Sequence, residues 1–422
     1  MSFKIKPQFK VFQKLALVSV LIGFLASFLA VSLKRITEHY EDIFFLKAVQ
    51  FNFLYLLFPL FGLTIIYFLR KYMFKNKENK GIKEIFECTE ILNKNLPVYK
   101  IPSHFINGFF TVIFGGSTGI EVSTVVSSAT IGSVAQRKAN FLHEYKTELI
   151  CAGISAGITA LFCSPIAGIL FSIEVISRKV NKTLLFTNFI AVFVASLLIY
   201  VLDEPTLFLI KVSTWHFYAL PYFAILGVLA GINSVFLTKS VLFFKSQFLK
   251  IEKNQNKVLL GTLIIGTAIL LFPILYGDSY HGVKEILSHS NTIFSLQFFL
   301  SIFGILLLKP VITAITLASG GDGGVFAPSL VIGAFLGFFV ATFLNTFFNA
   351  NVLPINFIII GMAALLSASI HAPFTALFLV CSIVNDYTLF VPILLVCLIS
   401  KYTAKYIYPF TVYSYSLNPI KA

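Results

Sequence analysis

Between Asp322 and Asp386 the chain runs for 63 residues, Gly323–Asn385, without one Lys, Arg, Asp or Glu. An ordinary soluble domain carries about 25% charged residues, so roughly fifteen charges would be expected in such a stretch. Shorter uncharged runs recur elsewhere: Leu15–Leu33 (19 residues), Ala48–Leu69 (22), Thr183–Leu202 (20) and Val258–Gly277 (20). About 20 apolar residues rising 1.5 Å each cross a hydrocarbon layer of about 30 Å. Across all 422 residues, 57% are AVILMFWYC, 12% are charged and the mean hydropathy is +0.89. These features predict an all-α polytopic membrane protein. They exclude soluble enzymes, nucleic-acid binders and secreted disulfide scaffolds.

The net charge of +14 reads as topology. Positive residues cluster beside spans, at Lys4, Lys6, Lys10 and Lys14 and again at Arg70, Lys71, Lys75, Lys77, Lys80 and Lys83. Lys and Arg mark cytoplasmic flanks. The N-terminus and the 70–83 loop are therefore expected in the cytoplasm, with Lys34–Asp42 outside, in a multi-pass protein of the plasma (inner) membrane. The five cysteines show no metal-ligand or disulfide spacing, and no cofactor is expected. The first apolar run is span-length and lacks a small-residue cleavage site, so no cleavable signal is evident.

After residue 100 several apolar stretches are interrupted by Gly, Pro and Ser, around Gly115–Thr124, Ala152–Pro165, Ser319–Ser329 and Ser367–Pro373. In a membrane, broken helices persist only where the freed backbone groups are buried in protein or line a cavity. The interruptions repeat. Gly115–Thr124 matches Gly320–Ser329 at an offset of 205, and Ser164–Phe171 matches Ala372–Leu379 at 208. Two matches at nearly one offset predict a duplicated chain, with a first half over 1–202, a connector over 203–214 and a second half over 215–422, and without a cytoplasmic regulatory domain. Transporters built from inverted repeats place their ion site where discontinuous helices of both halves meet.

Each Gly-rich segment precedes an apolar stretch of helical character and so reads as a helix N-terminus within the membrane. Glycine lets backbone approach closely, and the exposed N–H groups with the positive helix end suit an anion without a formal cation. A buried Lys or Arg would hold an anion too tightly to conduct it. Close helix packing is the alternative role for the same glycines. Glu121 heads an uncharged stretch reaching Gln136, where an ionisable group is a functional candidate by default. Its carboxylate can occupy an anion site as a tethered substitute and leave on protonation. A structural cap of its own helix is the competing role.

Gly119-Ile120-Glu121, Gly324-Val325-Phe326-Ala327-Pro328 and Ser164–Val175 resemble the signature segments of the CLC chloride channel and transporter family. Tyr413-Ser414 and the stretch from Gly361 to Tyr387 are similar as well, and the likeness is ordered from about residue 80 to the end. The resemblance implies a protomer of two inverted-topology repeats of broken, tilted helices, normally a homodimer with one pore per subunit and chloride as its partner. It implies Glu121 as the gate. Backbone amides at Gly119, Ile120, Val122, Gly324, Val325 and Phe326, with the Tyr413 hydroxyl, would be the anion ligands, although Tyr413 alone, one of 17 Tyr, also suits a membrane interface.

Three departures from the family pattern bear on mechanism. The family's Gly-Arg/Lys-Glu-Gly-Pro segment reads Gly119-Ile120-Glu121-Val122-Ser123, without its basic residue or its proline. Its Gly-Ser-Gly-Ile-Pro segment reads Asn79-Lys80-Gly81-Ile82-Lys83, putting Lys80 where a serine usually contacts the central anion. Lys80 either attracts anions at the inner mouth or is a flanking charge. Proton-coupled members usually carry an inward-facing glutamate where this chain has Val175. A proton path through low dielectric needs titratable groups. Channel-like chloride conduction gated by Glu121 is therefore the expectation, with chloride/proton exchange as the alternative. A cation-coupled carrier of a small solute shares the repeat logic. An enzyme is not expected: no HExxH or Gly-x-Ser-x-Gly motif occurs, and Asp322 lacks the context of an intramembrane aspartyl protease. Asp322 is expected to cap the next helix or sit in a water-exposed loop. Glu174, near Arg178, Lys179 and Lys182, is expected to form a surface or intersubunit ion pair.

Overall fold

Helix follows helix from Pro7 to Ile407 in the computed structural model, which describes residues 7–77, 79–90, 94–139, 143–208, 210, 212, 214–288 and 296–415. The first half contains α1 (Pro7–Gln50), α2 (Leu54–Phe68), α3 (Ile82–Glu90), α4 (Lys100–Ile113), α5 (Glu121–Lys138), α6 (Lys146–Phe162), α7 (Pro165–Phe171) and α8 (Lys182–Val201). The second contains α9 (Leu220–Leu249), α10 (Asn254–Leu271), α11 (Tyr280–Ser288), α12 (Leu296–Ala318), α13 (Phe326–Phe348), α14 (Pro354–Ile370), α15 (Pro373–Ile383) and α16 (Phe390–Ile407). Among the described residues, eight helical stretches are long and apolar enough to cross a membrane. The flanking charges Lys4 and Lys6 lie outside the described residues.

Helix α1 runs unbroken through Lys34–Asp42 to Gln50. Lys34 and Arg35 both pair with Glu204 beyond α8, which gives this charged stretch a protein surface to lie on. The uncharged run from Ala48 to Leu69 spans a turn at residues 51–53, where one helix ends and the next begins. Counting charges cannot detect a turn made of Phe51, Asn52 and Phe53.

The duplication extends into the packing. Gly132 of α5 lies against the Leu149 carbonyl of α6, and Gly337 of α13 lies against the Phe357 carbonyl of α14. These glycines stand 205 residues apart. Gly153 faces the Ser128 carbonyl and Gly361 faces the Gly333 carbonyl, at a separation of 208. Small residues allow such close approach where apolar burial alone does not drive association. Helices α6 and α14 then end alike, on the left-handed residues Cys163 (φ 52°) and His371 (φ 56°). Ser164-Pro165 and Ala372-Pro373 follow, with the proline opening a short helix. A left-handed non-glycine residue costs on the order of 1 kcal/mol. Its use twice shows that the direction of α7 and α15 is set at these corners.

Substituting Gly361 by Leu should drive a side chain into the Gly333 carbonyl and separate α13 from α14. We expect a loss of about 1–3 kcal/mol, read as a lower unfolding temperature in detergent. An unchanged transition would show that this contact is not close in solution.

Candidate functional site

Two threonines join the halves. The Thr111 hydroxyl donates to the Asn107 carbonyl of its own helix at 2.7 Å and accepts the Asp322 amide at 2.9 Å. Thr316, 205 residues on, donates to the Ile312 carbonyl at 2.9 Å and accepts the Ser117 amide at 3.2 Å. Each hydroxyl closes a bond within its own half and another across to the other half. The turns beyond them need glycine: Gly115 has φ +82° and Gly320 has φ +105°, conformations that side-chain-bearing residues rarely adopt. Past these turns, Gly119 and Gly324 form an isolated antiparallel bridge.

Helices α5 and α13 begin immediately beyond that bridge, so two helix N-termini from different halves face a common point. Their first-turn amides have no partner within the helix, and the dipoles favour negative charge there. Glu121 supplies it. The residue is 2% exposed, and its carboxylate lies over Gly119 and against Ala327 in the first turn of α13. The Tyr280 hydroxyl donates to Glu121 Oε1 at 3.0 Å. Glu121 Oε2 has no hydrogen-bond partner among the described residues. A Cβ on Gly119 would collide with this carboxylate, so glycine there makes the pose possible.

The other expected residues gather at the same point. Val122 and Gly324 are in contact range, and the Tyr413 hydroxyl lies beside Gly324 without a hydrogen-bond partner among the described residues. Val325 and Phe326 are fully buried, and the Phe326 ring packs on Phe171 with centroids 5.5 Å apart. Ile120 is 9% exposed. A cavity of about 500 Å³ reaches this cluster at Val122, Gly324, Val325 and Tyr413. Lys80 is exposed on its rim, where its backbone amide is held by Glu84. Arg70, Lys245 and Lys257 also border it. A second cavity of about 160 Å³ is lined by Glu38, Glu41, Asp42, Asp278 and Tyr280. The two cavities share no lining residue, and Glu121 borders neither.

Val175 stands apart from this cluster, buried in a π-helical turn (Ser172–Ser177) and bordering neither cavity. Its neighbour Glu174 corrects the expected ion pair. The carboxylate accepts the Thr375 amide and hydroxyl, both at 2.7 Å, and the Phe374 amide at 3.4 Å. It caps α15, because α15 begins with Pro373 and its next amides need an acceptor that its own N-cap, Ala372, cannot provide. Asp322 is no water-exposed residue either. It is 4% exposed, with Oδ1 3.2 Å from His104 Nδ1 and Oδ2 bonded to Asn79. Asn79 continues to Lys100 at 3.1 Å, and Lys100 to Glu84 at 2.7 Å. Tyr280 and Lys309 carried no sequence signal. The threonine pair did carry one, through its 205-residue spacing.

A sequence profile described as voltage gated chloride channel matches residues 61–405. The chain belongs to that family. The H(+)/Cl(-) exchange transporter ClcA of Vibrio cholerae is 26% identical over 94% of this chain and 86% of its own length. The voltage-gated ClC-type chloride channel ClcB of Salmonella typhi is 28% identical over 69% of each chain. In fold, the chain is similar to a slow cyanobacterial Cl⁻/H⁺ antiporter, with a TM-score of 0.81, 21% identity and coverage of 96% and 97%. The family's two-repeat, all-helical membrane architecture is the one described above.

Replacing Thr111 or Thr316 by Val keeps the shape and removes the acceptor from a buried amide. Each change should lower stability by about 1–3 kcal/mol. The double variant should lose less than the sum if both bonds hold one junction. Strict additivity in thermal unfolding would mean that the two turns are anchored separately.

Proposed function

We propose that this protein carries chloride across the membrane in exchange for protons, with Glu121 serving both substrates. The observation that carries this reading is the position of the Glu121 carboxylate between the two helix N-termini. A carboxylate and a chloride ion compete for that point, because both are negative. Chloride enters when the carboxylate leaves, and protonation removes the charge that holds it there. Anion entry and proton uptake are thereby tied to one side chain.

The amides of Ile120 and Val122 on one side, those of Gly324, Val325 and Phe326 on the other, and the Tyr413 hydroxyl are the proposed anion ligands. Lys80 on the rim raises the local anion concentration and sits too far out to trap the ion. The Lys-rich side is the cytoplasmic one by the positive-inside rule. We place the protein in the plasma (inner) membrane as a homodimer with one pathway per subunit. The exchange transporter from Vibrio cholerae, similar over most of this chain, favours coupling over the passive conduction expected from Val175. Val175 cannot take a proton.

Purified protein in liposomes tests the coupling. An imposed chloride gradient should drive protons uphill at a fixed ratio. Glu121→Gln should abolish proton movement and the pH dependence of chloride flux while chloride still passes. Chloride flux in the unaltered protein without any proton movement would establish the passive channel instead.

A further inference from the structure

Glu121 has one hydrogen-bond donor that comes from neither Gly-rich segment. Tyr280 opens α11, and its hydroxyl meets Glu121 Oε1 at 3.0 Å. The segment that carries it is tied down residue by residue. The Tyr276 hydroxyl donates to the Ile113 carbonyl at 2.6 Å, beside the Gly115 turn. Glu41 of α1 accepts the Asp278 amide at 3.1 Å, and Asp278 Oδ1 accepts the Tyr280 amide at 2.9 Å. Lys309 of α12 is wholly buried and donates to the Gly277 carbonyl at 3.2 Å and the Ser279 hydroxyl at 2.5 Å. The ring itself packs edge-on against Phe208 with centroids 5.9 Å apart. So many restraints on five residues, with Gly277 (φ +57°) and Ser279 (φ +68°) in left-handed conformations, fix where the phenol points. Backbone held in such conformations persists only where the surroundings over-determine it.

The geometry points to Tyr280 as a latch that holds the Glu121 carboxylate in the closed pose and sets the pH at which it lets go. This rests on the gating role proposed above for Glu121. The phenol donates to the charged carboxylate, and a donor to the charged form favours that form. Removing the donor therefore lets Glu121 take a proton at higher pH, and the gate releases sooner on acidification. Other charges face the pair and remain when the phenol is removed. Glu38 comes from α1 and Asp278 from the loop, while Lys284 of α11, Lys309 of α12 and Asp42 of α1 act on Asp278. Ala327 presents its backbone amide from α13, and Tyr413 approaches from the C-terminal segment. Their combined field sets the baseline against which the latch acts. Tyr280 positions Glu121 and touches no transported ion.

Tyr280→Phe keeps the ring packing on Phe208 and deletes only the hydroxyl. In liposomes, chloride flux from the variant should follow the wild-type pH profile displaced by about one unit toward higher pH, a tenfold change in the protonated fraction. In the Glu121→Gln background, Tyr280→Phe should change nothing, because no carboxylate remains to be latched. An intact Tyr280→Phe protein, with unchanged elution and unfolding, whose profile overlays wild type would overturn the latch. So would an equal shift in both backgrounds. If Glu121→Gln itself retains the wild-type pH dependence, the gating role fails first, and the two failures are thereby distinguishable.

Discussion

The reciprocal threonine junction is the constraint on which the rest of the structure depends. Thr111 and Thr316 bind each other's turn amides, and neither half can shift along the other without leaving a buried amide unpaired. Buried unpaired amides are expensive in hydrocarbon, where no water substitutes. The bridge between Gly119 and Gly324 follows from this registration, and the convergence of α5 and α13 follows from the bridge. The glycine contacts pack α5 on α6 and α13 on α14, each within its own half. The threonine bonds join the two halves where two helix ends meet.

That junction explains the distribution of charge. Positive potential at the meeting point comes from fixed peptide dipoles, and the formal cations lie elsewhere. Lys309 is buried near Glu121's partner Tyr280, yet it is spent on the Gly277–Ser279 loop and faces Asp278 and Glu41. Arg70 and Lys80 border the larger cavity, where solvent and salt weaken their hold on any one ion. A cation at the meeting point would bind a carboxylate or a halide far more tightly than dipoles do, and a gate or carrier must release what it binds.

Much of this was legible in the sequence. The helical spans, the duplication, the two Gly-rich helix starts and Glu121 all leave local marks: uncharged length, a repeated offset, glycine before an apolar run, and one carboxylate where none is expected. The partners of Glu121 were not legible. Tyr280 is one of 17 Tyr, lies 159 residues away and meets the carboxylate only because α11 folds back over the site. Glu174 misled for a related reason. Its sequence neighbours are cations, but in three dimensions the nearer need is that of the α15 amides. The charges of Lys34–Asp42 do not end α1, because a long helix carries polarity when another part of the chain, here Glu204, is present to receive it.

The same restraints bear on how the proposed gate, Glu121, can move. Backbone on both sides of Glu121 is held: Gly119 by its bridge, Ser117 by Thr316, and the first turn of α5 by close contacts with α4 through Gly108 and Ser123. A hinge or helix rotation that displaced the carboxylate would have to break several of these at once. Rotation of the Glu121 side chain breaks its hydrogen bond to Tyr280 and withdraws the carboxylate from the first-turn amides of Glu121 and Ala327, leaving the backbone in place. Side-chain motion is therefore the low-cost route, and it leaves the amide cups on both helices unchanged. In the proposed exchange, an anion arriving as the carboxylate leaves would meet the same dipoles that the carboxylate met.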